Sequence, residues 1–492
     1  MLPRCLFLGL AALLLTASAL AQPANVVLIL SDDHRYDFFS AHPNAPRFLQ
    51  TPGMDRMAAE GVHLKNAFVT TALCSPSRAS ILTGQYAHNH GVVDNTSEIP
   101  EGTRFFPEDL QDDDIATAWV GKWHMGESDD RPRPGFDRWV SFRGQGRYYD
   151  PVLNVDGERV EREGYTTDIL TDYALDWLRD RDGGDPFFLV LSHKAVHAEF
   201  NPAERHRGAY ADIAIPYPET MALTEANYAG KPHWVRAQRG SWHGVDYMFH
   251  GDLGLGLSGF DNFYRRYVET LLALDESVGR VIDYLDESGL AENTLVLYLG
   301  DNGFLLGEHG LIDKRNAYEE SIRVPMLAWA PGWIRPGSVV DDLIRNIDLA
   351  PTFLELFGTE TDIAMDGQSF LPILRDAAPP DATATPSAEV GGDREFLYEY
   401  YWEHAFPHTP TTFALRGDRY KYIYYHGVWD TAELYDLQND PQERFNLVDM
   451  PGFRDIADGM RERLFDRLQA EDAMRVPMRR GSWKAGERLL YD

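Results

Sequence analysis

Cys74 stands in a sequence context that suggests a reactive thiol. The 492-residue chain contains two cysteines, and the other, Cys5, lies in an N-terminal segment that we expect to be removed. A free cysteine is usually a small, buried hydrophobic residue. An exported protein, however, has little reason to keep one unpaired thiol that can oxidise, unless a reaction consumes it. Cys74, which opens the run CSPSRASILTG at residues 74–84, is therefore a candidate for chemistry.

Oxygen-bearing side chains follow two apolar runs that are typical of strands. Residues 26–30 are followed by Asp32 and Asp33, and residues 295–299 by Asp301 and Asn302. Carboxylate and amide oxygens suit hard cations and are poor ligands for copper or zinc. We expect calcium, because an exported protein meets abundant calcium and its coordination is flexible; magnesium is the alternative. The other interpretation is that these pairs only cap helices or form turns.

Basic side chains follow two further apolar runs. Residues 115–120 lead to Lys122 and His124, and residues 187–191 lead to Lys194 and His197. In an open α/β sheet, ligands bind beyond the carboxyl ends of the strands. The four polar clusters are therefore expected to converge with Cys74 on one crevice. Taken singly, such a lysine is usually a surface charge and such a histidine a structural residue.

The elements that must position these residues alternate between strands and helices. This alternation predicts an α/β fold with a large, mostly parallel sheet sandwiched by helices. Residues 267–285 carry apolar side chains at helical spacing, and residues 413–425 and 453–468 indicate strands and a closing helix. The last region predicts a smaller C-terminal α+β subdomain on an antiparallel sheet.

The chain is expected to have two domains after an export signal. Arg4, the apolar residues 6–15 and the small-residue motif at 19–21 form a signal peptide over residues 1–21. The apolar stretch is too short for a membrane span, and no cysteine follows the cleavage site to carry a lipid. Residues 376–393 have the composition of a linker. We therefore predict a catalytic domain over 22–380, a C-terminal subdomain over 381–492, and a periplasmic or secreted protein without a membrane partner.

The chain is strongly acidic. Its net charge is −31, and loss of the signal peptide removes one arginine and no acid, which gives −32. Such a charge keeps the protein soluble and argues against nucleic acid or anionic membranes as partners.

The sequence resembles the type I, formylglycine-dependent sulfatases of the alkaline phosphatase superfamily. Seven residues match the family signature, in which a host enzyme oxidises the cysteine to formylglycine (3-oxoalanine): Cys74, Pro76, Ser77, Arg78, Leu82, Thr83 and Gly84. The resemblance continues through NVV at 25–27, GKWH at 121–124, DNG at 301–303, DKR at 313–315 and ELYDL at 433–437. It implies an alkaline phosphatase-like fold with a large mixed sheet, hydrolysis of sulfate esters with release of sulfate, and a formylglycine-generating enzyme as a maturation partner.

The resemblance also implies residue roles. The calcium ligands would be Asp32, Asp33, Asp301, Asn302 and the modified Cys74. Arg78 would hold the formylglycine hydrate. Lys122 and Lys314 would contact the sulfate oxygens, and His124 and His197 would handle protons.

A sulfated carbohydrate is the expected substrate, because the HKAVH motif at 193–197 and the spacing from DNG to DKR resemble those of bacterial glycan sulfatases. The insertion at 204–260 and the region 398–426 are candidates for substrate choice, or for an aromatic core beneath a loop. Candidate substrate-binding residues are Lys194, His309, Arg315, Trp402, His404, Arg416 and His426. The alternatives are a phosphonate or phosphate ester hydrolase of the same superfamily and a non-catalytic, glycan-binding relative.

Overall fold

The computed structural model describes residues 22–126, 128–181, 184–249, 259–377, 395–427 and 430–476. The predicted signal peptide lies outside these ranges, and so do residues 378–394, which contain the domain boundary predicted at 380. That boundary stays a prediction. Among the described residues, no helix combines the length and the apolar character needed to cross a membrane.

The described part of the chain contains sixteen strands and thirteen α-helices. The strands are β1 Asn25–Ser31, β2 Val62–Phe68, β3 Ala116–Gly121, β4 Arg138–Ser141, β5 Val152–Val155, β6 Glu158–Glu161, β7 Phe187–Ser192, β8 Thr294–Gly300, β9 Leu305–Leu306, β10 Ile312–Asp313, β11 Met326–Trp329, β12 Ser338–Arg345, β13 Phe396–Tyr400, β14 Thr411–Arg416, β15 Tyr420–His426 and β16 Glu433–Asp436. The helices are α1 Pro52–Glu60, α2 Cys74–Thr83, α3 Ala87–His90, α4 Phe106–Asp112, α5 Thr166–Arg179, α6 Glu225–Tyr228, α7 His233–Gln238, α8 Val245–Met248, α9 Phe260–Ser288, α10 Glu319–Ile322, α11 Leu349–Phe357, α12 Leu371–Asp376 and α13 Arg454–Ala470.

Ten strands form one mixed, mostly parallel sheet, as predicted. Their order is β12-β2-β11-β8-β1-β7-β3-β4-β5-β6. The four strands that precede the polar clusters are neighbours at its centre, in the order β8-β1-β7-β3, and every pairing among them is parallel. Their carboxyl ends therefore meet at one edge of the sheet.

Both faces of this sheet are covered, which explains the continuous apolar sequences of its central strands. Along β1, Val26, Leu28 and Leu30 enter one hydrophobic core, whereas Val27 and Ile29 enter the core on the opposite face. Helix α9 packs on the second face. It contains the predicted helix 267–285 and begins seven residues earlier. Helices α2 and α11 contribute to the first core.

A second, antiparallel sheet carries the C-terminal part of the chain, also as predicted. Its strands follow in the order β13-β14-β15-β16. Leu397 and Phe413 of this sheet share a core with Leu464 of α13. The sheet contacts the N-terminal part of the chain close to Cys74, where the Glu399 backbone N–H donates to the Thr70 carbonyl at 2.9 Å.

Candidate active site

Cys74 is the first residue of α2 and is fully buried at the centre of the polar clusters. Pro76 is tolerated in the first turn of the helix because N–H groups there lack intrahelical acceptors. Gly84 ends the helix with φ at 68°, a conformation that favours glycine. The Cys74 Sγ lies 3.4 Å from Asp32 Oδ1. Burial, and then the Asp32 carboxylate, raises the pKa of the thiol well above its ordinary value.

The two aspartates after β1 each pair with a buried lysine. Asp32 pairs with Lys122 through Oδ2, and Asp33 pairs with Lys314 through Oδ1. Burial alone would raise the pKa of Asp32, but Lys122 and the other nearby cations hold it well below its usual range. For Asp33, burial prevails over Lys314 and raises the pKa to about 7. These pairs balance charge in a region closed to water.

The residues after β8 complete the acidic cluster. Asp301 Oδ1 accepts a hydrogen bond from the Asp33 backbone N–H at 3.1 Å, and Asn302 Nδ2 donates to Asp33 Oδ1 at 2.7 Å. Arg78 Nη2 lies 2.8 Å from Asp301 Oδ2, with both side chains fully buried. Arg78 also donates to the Lys122 carbonyl at 2.7 Å, so this arginine joins the ends of β8 and β3.

The acidic cluster fits a hard cation. Asp32, Asp33 and Asp301 each offer a carboxylate oxygen, and these oxygens lie within 4.8 Å of one another. Two buried oxygens of these residues, Asp33 Oδ2 and Asn302 Oδ1, have no hydrogen-bond partner within the described structure. Helix capping does not account for the pairs, because residues 31–37 and 300–304 contain no helix. An all-oxygen donor set of this kind favours calcium or magnesium.

Two histidines border the cluster. His197 Nε2 lies 3.8 Å from Asp33 Oδ2, and the His124 ring lies beside Ser75, with Nδ1 3.5 Å from its hydroxyl. Burial is the main cause that lowers the pKa of both imidazoles well below the ordinary value. A bound anion would act in the opposite direction, because its negative charge stabilises an imidazolium. His124 Nε2 is buried without a hydrogen-bond partner in the described structure and is thus available to a ligand.

Sequence reasoning missed two residues on the loop between β4 and β5. Gln145 Oε1 accepts a hydrogen bond from Lys122 Nζ at 2.6 Å. The ring of Tyr148 lies 4.8 Å from Lys194 Nζ, and its hydroxyl donates to the His197 carbonyl at 2.5 Å. Burial lowers the pKa of Lys194 to about 8. No motif marks these residues. The loop reaches the site because β4 pairs with β3, and this pairing is not evident from the local sequence.

The predicted substrate-binding residues other than Lys194 are dispersed. Arg315, next to Lys314, is buried in ion pairs with Glu403 and Asp313. Arg416, on β14, pairs with Glu319, on α10, at 3.1 Å. These two arginines are thus already engaged by carboxylates.

The remaining candidates lie in the core or at the surface. His309 is buried and stacks on Tyr318 with ring centroids 4.1 Å apart. Trp402 is 48% exposed, His404 lies beside it with ring centroids 6.1 Å apart, and His426 is exposed at the end of β15.

The insertion at 204–260 reaches the loop that carries Lys314. His243 stacks on Phe406 with ring centroids 4.6 Å apart, and its Nε2 lies 3.3 Å from Asp313 Oδ2. The insertion and the 402–409 loop therefore pack together beside one wall of the site. Residues 250–258 lie outside the described ranges.

Comparisons with known proteins agree with this geometry. The profile of the family described as Sulfatase matches residues 24–359, and that of N-sulphoglucosamine sulphohydrolase, C-terminal, matches residues 307–471. An N-acetylglucosamine-6-O-sulfatase of Bacteroides thetaiotaomicron is 33% identical, over 90% of this chain and 87% of the relative.

Solved structures share the fold. A protein solved in complex with its substrate D-glucosamine-2-N,6-O-disulfate superposes with a TM-score of 0.82 at 29% identity, over 93% of this chain and 99% of the other. A phosphonate monoester hydrolase of Agrobacterium radiobacter superposes with a TM-score of 0.73 at 20% identity, over 92% and 96% of the two chains. At that identity the likeness to the hydrolase shows the fold alone.

Proposed function

The chain belongs to the sulfatase family and is a sulfuric ester hydrolase, and from this premise we propose that it removes the 6-O-sulfate group of glucosamine residues in a glycosaminoglycan. The observation that carries the proposal is the position of Cys74, whose Sγ lies 3.4 Å from Asp32 in the buried cluster of carboxylates and lysines. The sugar and the sulfate position are suggested by the relatives, one an N-acetylglucosamine-6-O-sulfatase and one bound to a 6-O-sulfated glucosamine.

The proposed nucleophile is formylglycine at position 74, made by a formylglycine-generating enzyme of the host. The aldehyde is hydrated to a geminal diol, and one diol oxygen attacks sulfur while the sugar alcohol departs. The second diol hydroxyl then loses its proton, and the C–O bond to sulfate breaks, which releases sulfate and restores the aldehyde. Buried, cationic surroundings favour this sequence because negative charge develops on the sulfuryl oxygens.

Each basic residue has a place in this chemistry. Lys122 and Lys314 hold the sulfuryl oxygens, since both ammonium groups are buried beside the cluster. His197 protonates the departing sugar oxygen, and His124, with its unpartnered Nε2, accepts the proton of the second diol hydroxyl. Arg78 orients the hydrate, because it is fixed near residue 74 by its contacts with Asp301 and the Lys122 carbonyl.

We propose calcium as the resident cation, held by Asp32, Asp33, Asp301, Asn302 and the modified Cys74. When bound, the cation supplies fixed positive charge that stabilises negatively charged oxygen atoms.

Removal of divalent cations with EGTA or EDTA is expected to lower turnover by at least about 10²-fold, because such a cation contributes several kcal/mol to catalysis. Added calcium should restore activity and raise the melting temperature of the protein. Restoration by magnesium but not by calcium would reassign the cation. Unchanged activity and melting temperature in metal-free protein would contradict the site.

Position-specific esters test the proposed function. We expect kcat/KM for glucosamine 6-sulfate to exceed that for the 3-sulfate isomer by about 10²-fold or more, because misplacement of the reacting group removes transition-state contacts. The matched controls are glucosamine 6-phosphate and a phosphonate monoester. Faster turnover of either control would favour the rival phosphonate or phosphate ester hydrolase, and binding without turnover of any ester would favour the non-catalytic relative.

Export and domain division complete the proposal. Residues 1–21 direct the chain to the periplasm or the exterior, and N-terminal sequencing of the exported protein should begin at Gln22. The division into a catalytic domain over 22–380 and a C-terminal subdomain over 381–492 is supported by the two separate sheets.

A further inference from the structure

The loop between β4 and β5 has two chemically different sides. Residues 142–148 read FRGQGRY, and Gln145 at the centre contacts Lys122 in the candidate active site. On the other side, Arg143 and Arg147 line a surface cavity of 460 Å³. Each arginine is two residues from Gln145, so its Cα lies at most about 7 Å away along the chain. The cavity is therefore next to the reaction site.

The backbone of this loop explains why its side chains diverge. Gly144 and Gly146 flank Gln145, and both have positive φ, at 51° and 66°. A Cβ at Gly146 would lie 2.4 Å from a ring carbon of Phe142. Glycine is thus required for the tight turn that directs Gln145 inward and leaves the arginines at the surface.

The cavity is positively charged in a strongly acidic protein. Its seven lining residues include three arginines and no carboxylate, whereas the whole chain has a net charge of −31. Arg159 of β6 also lines the cavity. It shares the buried Asp130 with Arg143, at 2.6 Å and 3.7 Å respectively.

Much of this positive charge is not neutralised. One carboxylate serves both Arg159 and Arg143, and the Arg143 side chain is 64% exposed. Arg147 is exposed and makes no ion pair with another described residue. Exposed guanidinium groups bind sulfate and carboxylate oxygens in a planar, bidentate manner, which suits a sulfated glycan.

We propose that Arg143, Arg147 and Arg159 form a second anion-binding surface, which holds a sulfate or carboxylate group on a sugar adjacent to the one being hydrolysed. The occupant is a neighbouring part of the same polyanionic glycan chain. This inference rests on the proposed function and extends it from a single sugar to a chain. The surface also offsets the repulsion that the acidic protein exerts on a polyanion.

The test compares two substrates and two double variants. The variant R143S/R147S removes two exposed charges at the cavity, and the control R454S/R461S removes two exposed charges from α13 of the smaller domain. The substrates are glucosamine 6-sulfate and a heparin-derived hexasaccharide. For R143S/R147S we expect kcat/KM on the hexasaccharide to fall about tenfold at low salt, with less than about a twofold change on the monosaccharide.

The salt dependence and the control variant distinguish loss of chain binding from other causes of lower activity. The difference between R143S/R147S and the parent should disappear near about 1 M salt, where the Debye length is about 3 Å. Equal losses on both substrates would overturn the proposal, because they indicate displaced Gln145 and Lys122 rather than lost chain binding. An equal loss in R454S/R461S would also overturn it, because it indicates a general charge effect.

Direct binding separates this inference from the proposed function. Calorimetric titration with the hexasaccharide does not require turnover, so it tests the surface even if glucosamine 6-sulfate is not hydrolysed. Weaker binding by R143S/R147S, by about tenfold, supports the surface. Unchanged affinity overturns it, whereas failure of the parent to hydrolyse the monosaccharide bears only on the proposed function.

Discussion

Replacement of Cys74 by serine is expected to lower steady-state turnover by about 10⁵-fold and to leave a sulfate ester on residue 74. A serine hydroxyl can attack sulfur, but it lacks the second diol hydroxyl that expels sulfate from formylglycine. The loss should be near that for removal of an enzyme's nucleophile. Intact mass spectrometry after incubation with substrate should show a gain of about 80 mass units, on the tryptic peptide that contains position 74.

The parent protein and Cys74→Ala are the matched controls. In the parent, the same peptide should be about 18 mass units lighter than the sequence requires, as expected when a thiol becomes an aldehyde. Cys74→Ala should show neither turnover nor an adduct. Full activity in protein whose residue 74 is an unmodified thiol would contradict formylglycine catalysis. For that comparison the protein must come from a host with the maturation enzyme.

Replacement of His197 by glutamine is expected to reduce kcat on glucosamine 6-sulfate by 10²–10⁴-fold, the usual contribution of a general acid. A sugar alcohol is a poor leaving group and needs a proton. A nitrophenyl sulfate releases a stabilised phenolate, so its turnover should fall much less. The ratio of the two losses measures the role of His197 as an acid, independently of any effect on folding.

Equal losses on the two esters would contradict that role and would indicate that His197 only supports Asp33, from which its Nε2 is 3.8 Å away. Comparison with the single variant His124→Gln separates the two histidines. Since His124 is assigned to release of sulfate from residue 74, its variant should accumulate the sulfate adduct with either ester. His197→Gln should not accumulate it.

The sequence predicted the central sheet because its strands are buried on both faces. Short, continuous apolar runs favour buried strands, and the chain has such runs at 26–30, 187–191 and 295–299. In the structure each run is a strand whose ends lie within two residues of the predicted ends. The polar residues that follow these runs were brought together because parallel neighbours end at one edge. This part of the site follows from local patterning and topology alone.

The rest of the site depends on contacts that are distant in sequence. Gln145 and Tyr148 lie in a loop that contains no recognisable motif. The turn around two glycines places Gln145 against Lys122 and the ring of Tyr148 against Lys194. The sequence predicts that Arg416 contacts the substrate, whereas in the structure its guanidinium pairs with Glu319. A charged side chain on a strand gives no signal of whether its partner is a ligand or another buried residue.

The central position of β8, β1, β7 and β3 has a consequence for heating. Residues at the ends of interior strands belong to the part of a protein that opens last, whereas loops beyond the edge of a sheet open at lower free energy. The hydrolytic centre should therefore persist until the whole domain melts. The β4–β5 loop lies nearer the sheet edge, so a warmed protein should lose binding of long chains, and with it the contact of Gln145 with Lys122, before the ends of the central strands separate.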